Sequence, residues 1–300
     1  MTNDNQDRHF GWLLEEDDPR DYPVATYRPD LLAAALPPSV DLRGANQPPI
    51  QNQGSLGSCV AWACVRAYRY AHRKQGTPDF DGSELFTYYN ARAYQGWQDR
   101  DSGAYLRDGI KALAQHGNAE ESTWPYVIGL FGNTPLLAAY DSAAKHQATR
   151  YLSVPNNEQA IKGVISGGYP VVFGIVVYQN FPMGNGVRVI PMPQGQVVGG
   201  HAMAYVGYDD ARQAYLVANS WGESWGVNGY AWLPYAYNAA QASDHWMIEA
   251  VEGAPVPPPP PAPDPAEIPF YESFIRYDQM RYKDGKGVIW TSTGKYDAPS

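Results

Sequence analysis

Cysteine is nearly absent: the 300 residues hold two, Cys59 and Cys64. They lie five apart in a stretch of helical character, where five residues rise about 7.5 Å and turn the side chains about 140° apart. A disulfide needs Cα atoms within roughly 7 Å, so neither a bridge nor a shared zinc site is expected. A fold without bridges suits a reducing compartment. Positive charge is also thin. Against 31 Asp and Glu stand 22 Lys and Arg, giving a net charge of -9 and a pI near 5.1, and no Lys/Arg run exceeds two residues. That excludes nucleic acid or an anionic membrane surface as the main partner. The longest apolar run, Val171–Val177, is far shorter than the roughly 20 residues that cross a bilayer. The opening MTNDNQDRHFGWLLEEDD has no basic n-region and no apolar h-region, so no secretory signal is legible. The expectation is a chain that is cytoplasmic as synthesised, with leaderless export left open.

Enough apolar residues are present, at 44%, to build a proper core. Residues 1–36 are acidic in the middle and punctuated by proline, and read as an extension. A domain follows over 37–252. Its first half, about 45–124, carries helical patterns at 59–75, 83–94 and 103–116, with Ser58 and Ser83 as N-cap candidates. Its second half, about 125–252, holds two more helical stretches. Strand-like runs then follow at 170–177, 201–210, 214–220, 229–235 and 245–252. A helical half before a β-rich half predicts an α+β fold. The proline-rich segment 253–269 reads as a semi-rigid spacer. The aromatic tail 270–300 is too short for a core of its own, and is a candidate for self-docking or partner binding.

Chemistry concentrates at three places. A thiol attacks a carbonyl only as thiolate, and Cys59 sits after the Gly/Ser loop QNQGSLGS at the start of a long helix. Free amides and the helix dipole favour negative charge there. Cys64, inside the helix, reads as a small core hydrophobe. Among six histidines, His72, His116 and His146 lie in polar helical stretches and read as solvated. His9 lies in the extension, and His245 reads as an ordinary half-buried residue of a strand. His201 differs, following Gly199-Gly200 and opening an apolar strand. Eighteen residues on, Asn219 opens NSWGESWGVNGY. An asparagine beside an imidazole can accept its second N–H and fix its tautomer and direction.

These segments resemble those of the papain-like cysteine peptidases. The entry Pro49–Cys59 is similar to that family's active-site loop. Gly200-His201-Ala202 looks like its histidine segment, 142 residues after Cys59, and NSWGxxWGxxGY at 219–230 matches its asparagine segment. The similarity covers about residues 37–252. It implies a two-subdomain fold, a helical half and a β-barrel-like half with the cleft between them. It implies Cys59 as nucleophile, His201 as its proton partner, Asn219 as the group orienting His201, and Gln53 with the Cys59 amide as oxyanion hole. Trp221 then shields the His–Asn pair. The activity implied is hydrolysis of peptide bonds in peptides or proteins, with no metal and no cofactor.

The departures are specific. Leu56 stands where relatives carry a disulfide cysteine, and Val60 where they carry an aromatic. Asp101-Ser102-Gly103-Ala104 replaces a glycine-rich loop that pairs with substrate backbone. Gly103, Ala104, Gly174, Gly200, Ala202 and Trp221 are the candidate substrate-binding residues. Ala104, Gly174 and Ala202 fall near the positions that line the pocket for the second residue before the cut, and their small size predicts a roomy pocket for bulky apolar or aromatic side chains. Residues 1–36 are too short for a long helical propeptide, and read as a solvated tail or packing strap. The sharper reading lets this segment or the tail enter the cleft and damp activity. Two other functions stand beside the peptidase: a papain-fold binding or scaffold protein, and a Cys–His amidase or transamidase.

Overall fold

The computed structural model describes residues 9–16, 18–44 and 46–252, with the backbone of 282–283 and 289–290. One compact unit ends at Pro255 and a second spans Val256–Ser300. In the second, β8 (Tyr282–Lys283) pairs antiparallel with β9 (Ile289–Trp290). The proline-rich segment and the rest of the tail lie outside the described residues.

The first half of the large unit is helical. α3 (Cys59–Lys74) is buried on every face from Cys59 to His72, because α4 (Glu84–Ala93), α5 (Leu106–Gln115) and three strands of the sheet all pack on it. A helix apolar or covered all round belongs at the centre of a domain. Its buried cations are satisfied locally: Arg66 donates to the carbonyls of Pro48 and Pro49. Ser83 caps α4 by accepting the Phe86 N–H at 3.1 Å. Ser58 does not cap α3, because its hydroxyl hydrogen-bonds the Tyr126 hydroxyl at 2.6 Å instead.

The second half is a seven-stranded antiparallel sheet with path β2-β7-β3-β4-β5-β6, and β1 (Ser39–Asp41) added beside β4. The strands are β2 (Ala148–Val154), β3 (Val171–Tyr178), β4 (Val197–Asp209), β5 (Ala214–Ala218), β6 (Tyr230–Pro234) and β7 (Ala242–Val251). The sheet is open rather than the barrel-like half expected. α6 (Leu137–Ala143) ends earlier than its pattern suggested and gives way to β2, a strand the sequence did not signal. α7 (Glu158–Ser166), capped by Asn157 on Ala160 N–H, covers β3 and β4.

The extension is not a solvated tail. α1 (Val24–Tyr27) and α2 (Pro29–Ala33) bury Val24 and Leu31. α2 crosses α7 where Gly163 and Gly167 leave no room for a side chain: a Cβ there would lie 2.2 Å from Leu31 O and 2.4 Å from its Cδ2. His72 is buried rather than solvated, and His116 and His146 are partly covered. His245 is fully enclosed on β7, and burial pushes its pKa down to about 3.

Candidate active site

Three backbone elements converge where the helical half meets the sheet. The start of α3 brings Cys59, the middle of β4 brings His201, and the loop after β5 brings Asn219. His201 Nε2 lies 2.8 Å from Asn219 Oδ1. A carbonyl oxygen only accepts, so Nε2 carries the proton. Asn219 Oδ1 also accepts the Ser220 N–H at 2.8 Å, which fixes the amide's direction. The Ser220 hydroxyl donates to Gln53 Oε1 at 2.6 Å, so one serine ties the amide that holds the imidazole to the amide at the thiol. Trp221, fully buried, stacks on His201 with ring centroids 4.6 Å apart. The Ala202 N–H reaches Cys59 Sγ at 3.4 Å.

Gln53 is held from several sides. Its backbone N–H donates to Ser220 O at 2.8 Å, and its carbonyl accepts the Tyr126 hydroxyl at 2.9 Å. Its Nε2 donates to Leu56 O at 2.8 Å and to His9 O at 3.1 Å. The second acceptor is the unexpected one, because it belongs to the N-terminal extension.

That extension runs through the site as a strap. Trp12 N–H donates to Gly200 O at 2.9 Å, Leu13 N–H to Ala104 O at 3.1 Å, and Ala104 N–H to Gly11 O at 2.8 Å. The Trp12–Ala104 pairing is parallel. Phe10 packs edge-on against both His201 and Trp221, each at 6.0 Å. The Trp12 side chain is 4% exposed and fills the space left by small residues. A Cβ on Gly174 would lie 1.9 Å from its ring, one on Gly200 2.3 Å from its carbonyl oxygen, and one on Gly103 2.4 Å from Gly11 O. Gly103 also has φ of +74°, a conformation that favours glycine. Five of the candidate substrate-binding residues, Gly103, Ala104, Gly174, Gly200 and Trp221, therefore meet around Phe10–Leu13. The sixth, Ala202, meets the thiol.

Burial decides the electrostatics of Cys59. Burial raises its thiol from an ordinary value of 9.0 to about 11, outweighing the N–H groups of Ala202, Gly11, Val60 and Cys59 itself, which favour the thiolate. The helix start alone predicts the opposite shift; with the strap in place, desolvation wins. Cys64 is likewise buried, with its sulfur against Gly109 of α5, and is free of any disulfide.

Two site features had no signal in the sequence. Asp244, at φ of +57°, accepts the Trp12 indole N–H at 3.4 Å. Arg107 on α5 clamps the strap, pairing with Glu15 at 2.5 Å and Asp21 at 2.7 Å. Among the described residues, no group of three or more His, Cys, Asp or Glu is arranged to hold a metal, and no helix is long and apolar enough to cross a membrane.

Comparison with known proteins gives the same picture. A family model described as papain family cysteine protease matches residues 36–249. An uncharacterized peptidase C1-like protein of Acanthamoeba polyphaga mimivirus is 34% identical over 81% of this chain and 88% of its own length. Xylellain, a cysteine protease from Xylella fastidiosa, superposes with a TM-score of 0.75 at 34% identity, covering 82% of this chain and 97% of that one. The digestive procathepsin L2 of Tenebrio molitor shares the fold, with a TM-score of 0.64 at 22% identity over 83% of this chain and 81% of that one.

Proposed function

This chain belongs to the papain family of cysteine proteases, and we propose that it is an endopeptidase with Cys59 as nucleophile and its own residues 9–13 as a built-in inhibitor. The observation that carries this reading is a polypeptide already bound at Cys59. A carbonyl oxygen sits on Gln53 Nε2, backbone pairs on Gly200 and Ala104, and a large side chain fills the pocket. A site that takes an extended peptide this way is built for peptide substrates.

The strap's direction explains why it blocks rather than reacts. In a substrate, the pocket residue precedes the carbonyl that is attacked. In the strap, Trp12 in the pocket follows His9, whose carbonyl is on Gln53. The chain runs backwards, and no scissile bond is offered in productive orientation.

With the strap displaced, Cys59 loses its cover, and the helix start, the neighbouring amides and the imidazolium favour thiolate. The thiolate attacks the scissile carbonyl, and Gln53 Nε2 with the Cys59 N–H holds the oxyanion. His201 then donates its proton to the leaving amine. The acyl group is released when His201 takes a proton from water, which attacks the thioester carbonyl and regenerates the thiol. Asn219 keeps the ring's tautomer and aim throughout.

Release of fragments from a denatured protein, abolished in Cys59→Ala, tests the activity; no release from the strap-weakened Trp12→Ala chain points instead to a binding protein. In a fluorogenic peptide panel, large apolar or aromatic side chains at the second position before the cut are expected to react fastest. Preference for Gly or Ala there would remove the pocket assignment.

A further inference from the structure

The functional reading uses one face of the loop 97–104, the Gly103–Ala104 strand. The other end of that loop touches the opposite side of the site. Both carboxylate oxygens of Asp101 lie 3.1 Å from the Gly57 N–H, which donates to them. Gly57 stands two residues before Cys59, inside the loop that shapes the oxyanion hole. Asp101 also accepts the Tyr88 hydroxyl, and that hydroxyl in turn accepts the Gly103 N–H at 3.0 Å. A continuous chain of hydrogen bonds thus runs from the oxyanion loop through Asp101 and Tyr88 to the strand that binds backbone.

The base of this chain is rigid. Tyr88 and Arg92 are four apart on α4 and therefore share a face. Both are fully buried. The Arg92 guanidinium lies over the Tyr88 ring, 3.9 Å from its centroid. It also donates to the carbonyls of Gln98, Arg100 and Phe131, which fixes the loop that carries Asp101. A side chain at Gly57 would crowd the bond, since a Cβ there lies 3.1 Å from Asp101 Oδ1. Leu56, beside it, stands where the sequence resemblance places a disulfide cysteine, so this loop is fastened by hydrogen bonds and not by sulfur.

We propose that Asp101 is a positioning residue for the peptidase reaction. Through Gly57 it holds the oxyanion loop in register with the substrate strand, and through Tyr88 it sets the Gly103–Ala104 strand. It touches neither substrate nor the reacting atoms. The inference rests on the peptidase reading, and its test separates the two. Variants are made in the full chain carrying Trp12→Ala, and strap occupancy in each is read from the rate of Cys59 alkylation.

Asp101→Ala is expected to lower kcat at least tenfold, because a small misplacement of the oxyanion donors is felt in the transition state. Tyr88→Phe removes the hydroxyl from both the Gly103 N–H and Asp101 but leaves the Asp101–Gly57 bond in place, and is expected to raise KM severalfold with a smaller loss of kcat than Asp101→Ala. Asp101→Asn keeps an acceptor for the Gly57 N–H, and is expected to recover most of the kcat. In parallel, amide hydrogen exchange in the otherwise wild-type chain should show faster exchange at Gly57 in Asp101→Ala, with the melting temperature within a few degrees. An unchanged Gly57 exchange rate overturns the proposal whatever the activity shows. A kcat within twofold of the parent in Asp101→Ala overturns it too, as does an Asp101→Asn variant no better than Asp101→Ala. A Trp12→Ala parent without Cys59-dependent hydrolysis counts against the peptidase reading instead, and the exchange measurement still decides the brace.

Discussion

Replacing Trp12 by Ala in the full chain attacks the strap at its deepest anchor. The side chain is 4% exposed, lies against Gly174 and Gly200, and ends on Asp244. Truncating a buried Trp costs about 3–5 kcal/mol. The Asp244 carboxylate that receives the indole N–H can hydrogen-bond water in its place, so the lower figure applies. About 3 kcal/mol corresponds to roughly a 10²-fold rise in the strap-open population. Phe10, the Gly11 contact and the Arg107 pairs remain, so the strap is weakened and not removed. The assay is the second-order rate of Cys59 alkylation, followed by intact mass, beside the initial rate on a fluorogenic peptide. Both are expected to rise by roughly 10²-fold. Point substitution is cleaner than removing residues 1–36, because that deletion uncovers the core around Val24 and Leu31. Rates within twofold of wild type, at unchanged melting temperature, would refute the claim that the strap gates the thiol.

Two further outcomes follow from the same geometry. Gln53→Ala in the Trp12→Ala chain should cost about 10²–10³ in kcat, the usual loss for one oxyanion donor, with alkylation of Cys59 slowed far less; steady-state kinetics and mass spectrometry check the two. The strap should also loosen as pH rises. Burial pushes Glu15 up from 4.5 to about 7 against the pull of Arg107, with Asp244 and Asp108 adding to the rise, and burial likewise raises Asp244 beneath Trp12. A carboxyl whose pKa is higher docked than free favours docking fully below its free value, and loses that contribution as pH climbs through the docked value. The ratio of full-chain to Glu15→Gln hydrolysis should therefore increase from pH 5 to pH 8, since the glutamine stands in for the protonated carboxyl at every pH, and a ratio that falls over that range contradicts the assignment.

The parts of the site legible in the sequence are those written in local chemistry. A Gly/Ser loop entering a helix marks Cys59, a glycine pair before an apolar strand marks His201, and the NSWG segment marks Asn219 and Trp221. Gln53 and the shielding role of Trp221 were legible only through the resemblance of their segments to those of the papain-like peptidases. What escaped was long-range. Trp12 and Asp244 are 232 residues apart and meet only in the folded chain. The extension has too few apolar residues to show a period, so Val24 and Leu31 became visible as core only once Gly163 and Gly167 showed where α2 crosses α7. β2 followed a helical run of Ala, Lys, His and Gln without a turn signal, and its identity is set by pairing with β7. His72 looked solvated because its neighbours Arg69, Arg73 and Lys74 are charged, yet α3 is enclosed far enough to bury it.

The most direct test of the whole account is covalent titration of the thiol. The full chain carrying Trp12→Ala is treated with an epoxysuccinyl peptide, and the adduct is mapped while residual hydrolysis is followed. The account predicts one adduct per chain, on Cys59 and not Cys64, with activity falling in proportion to labelling. Hydrolysis that persists in the fully labelled chain, or in Cys59→Ala, would contradict it.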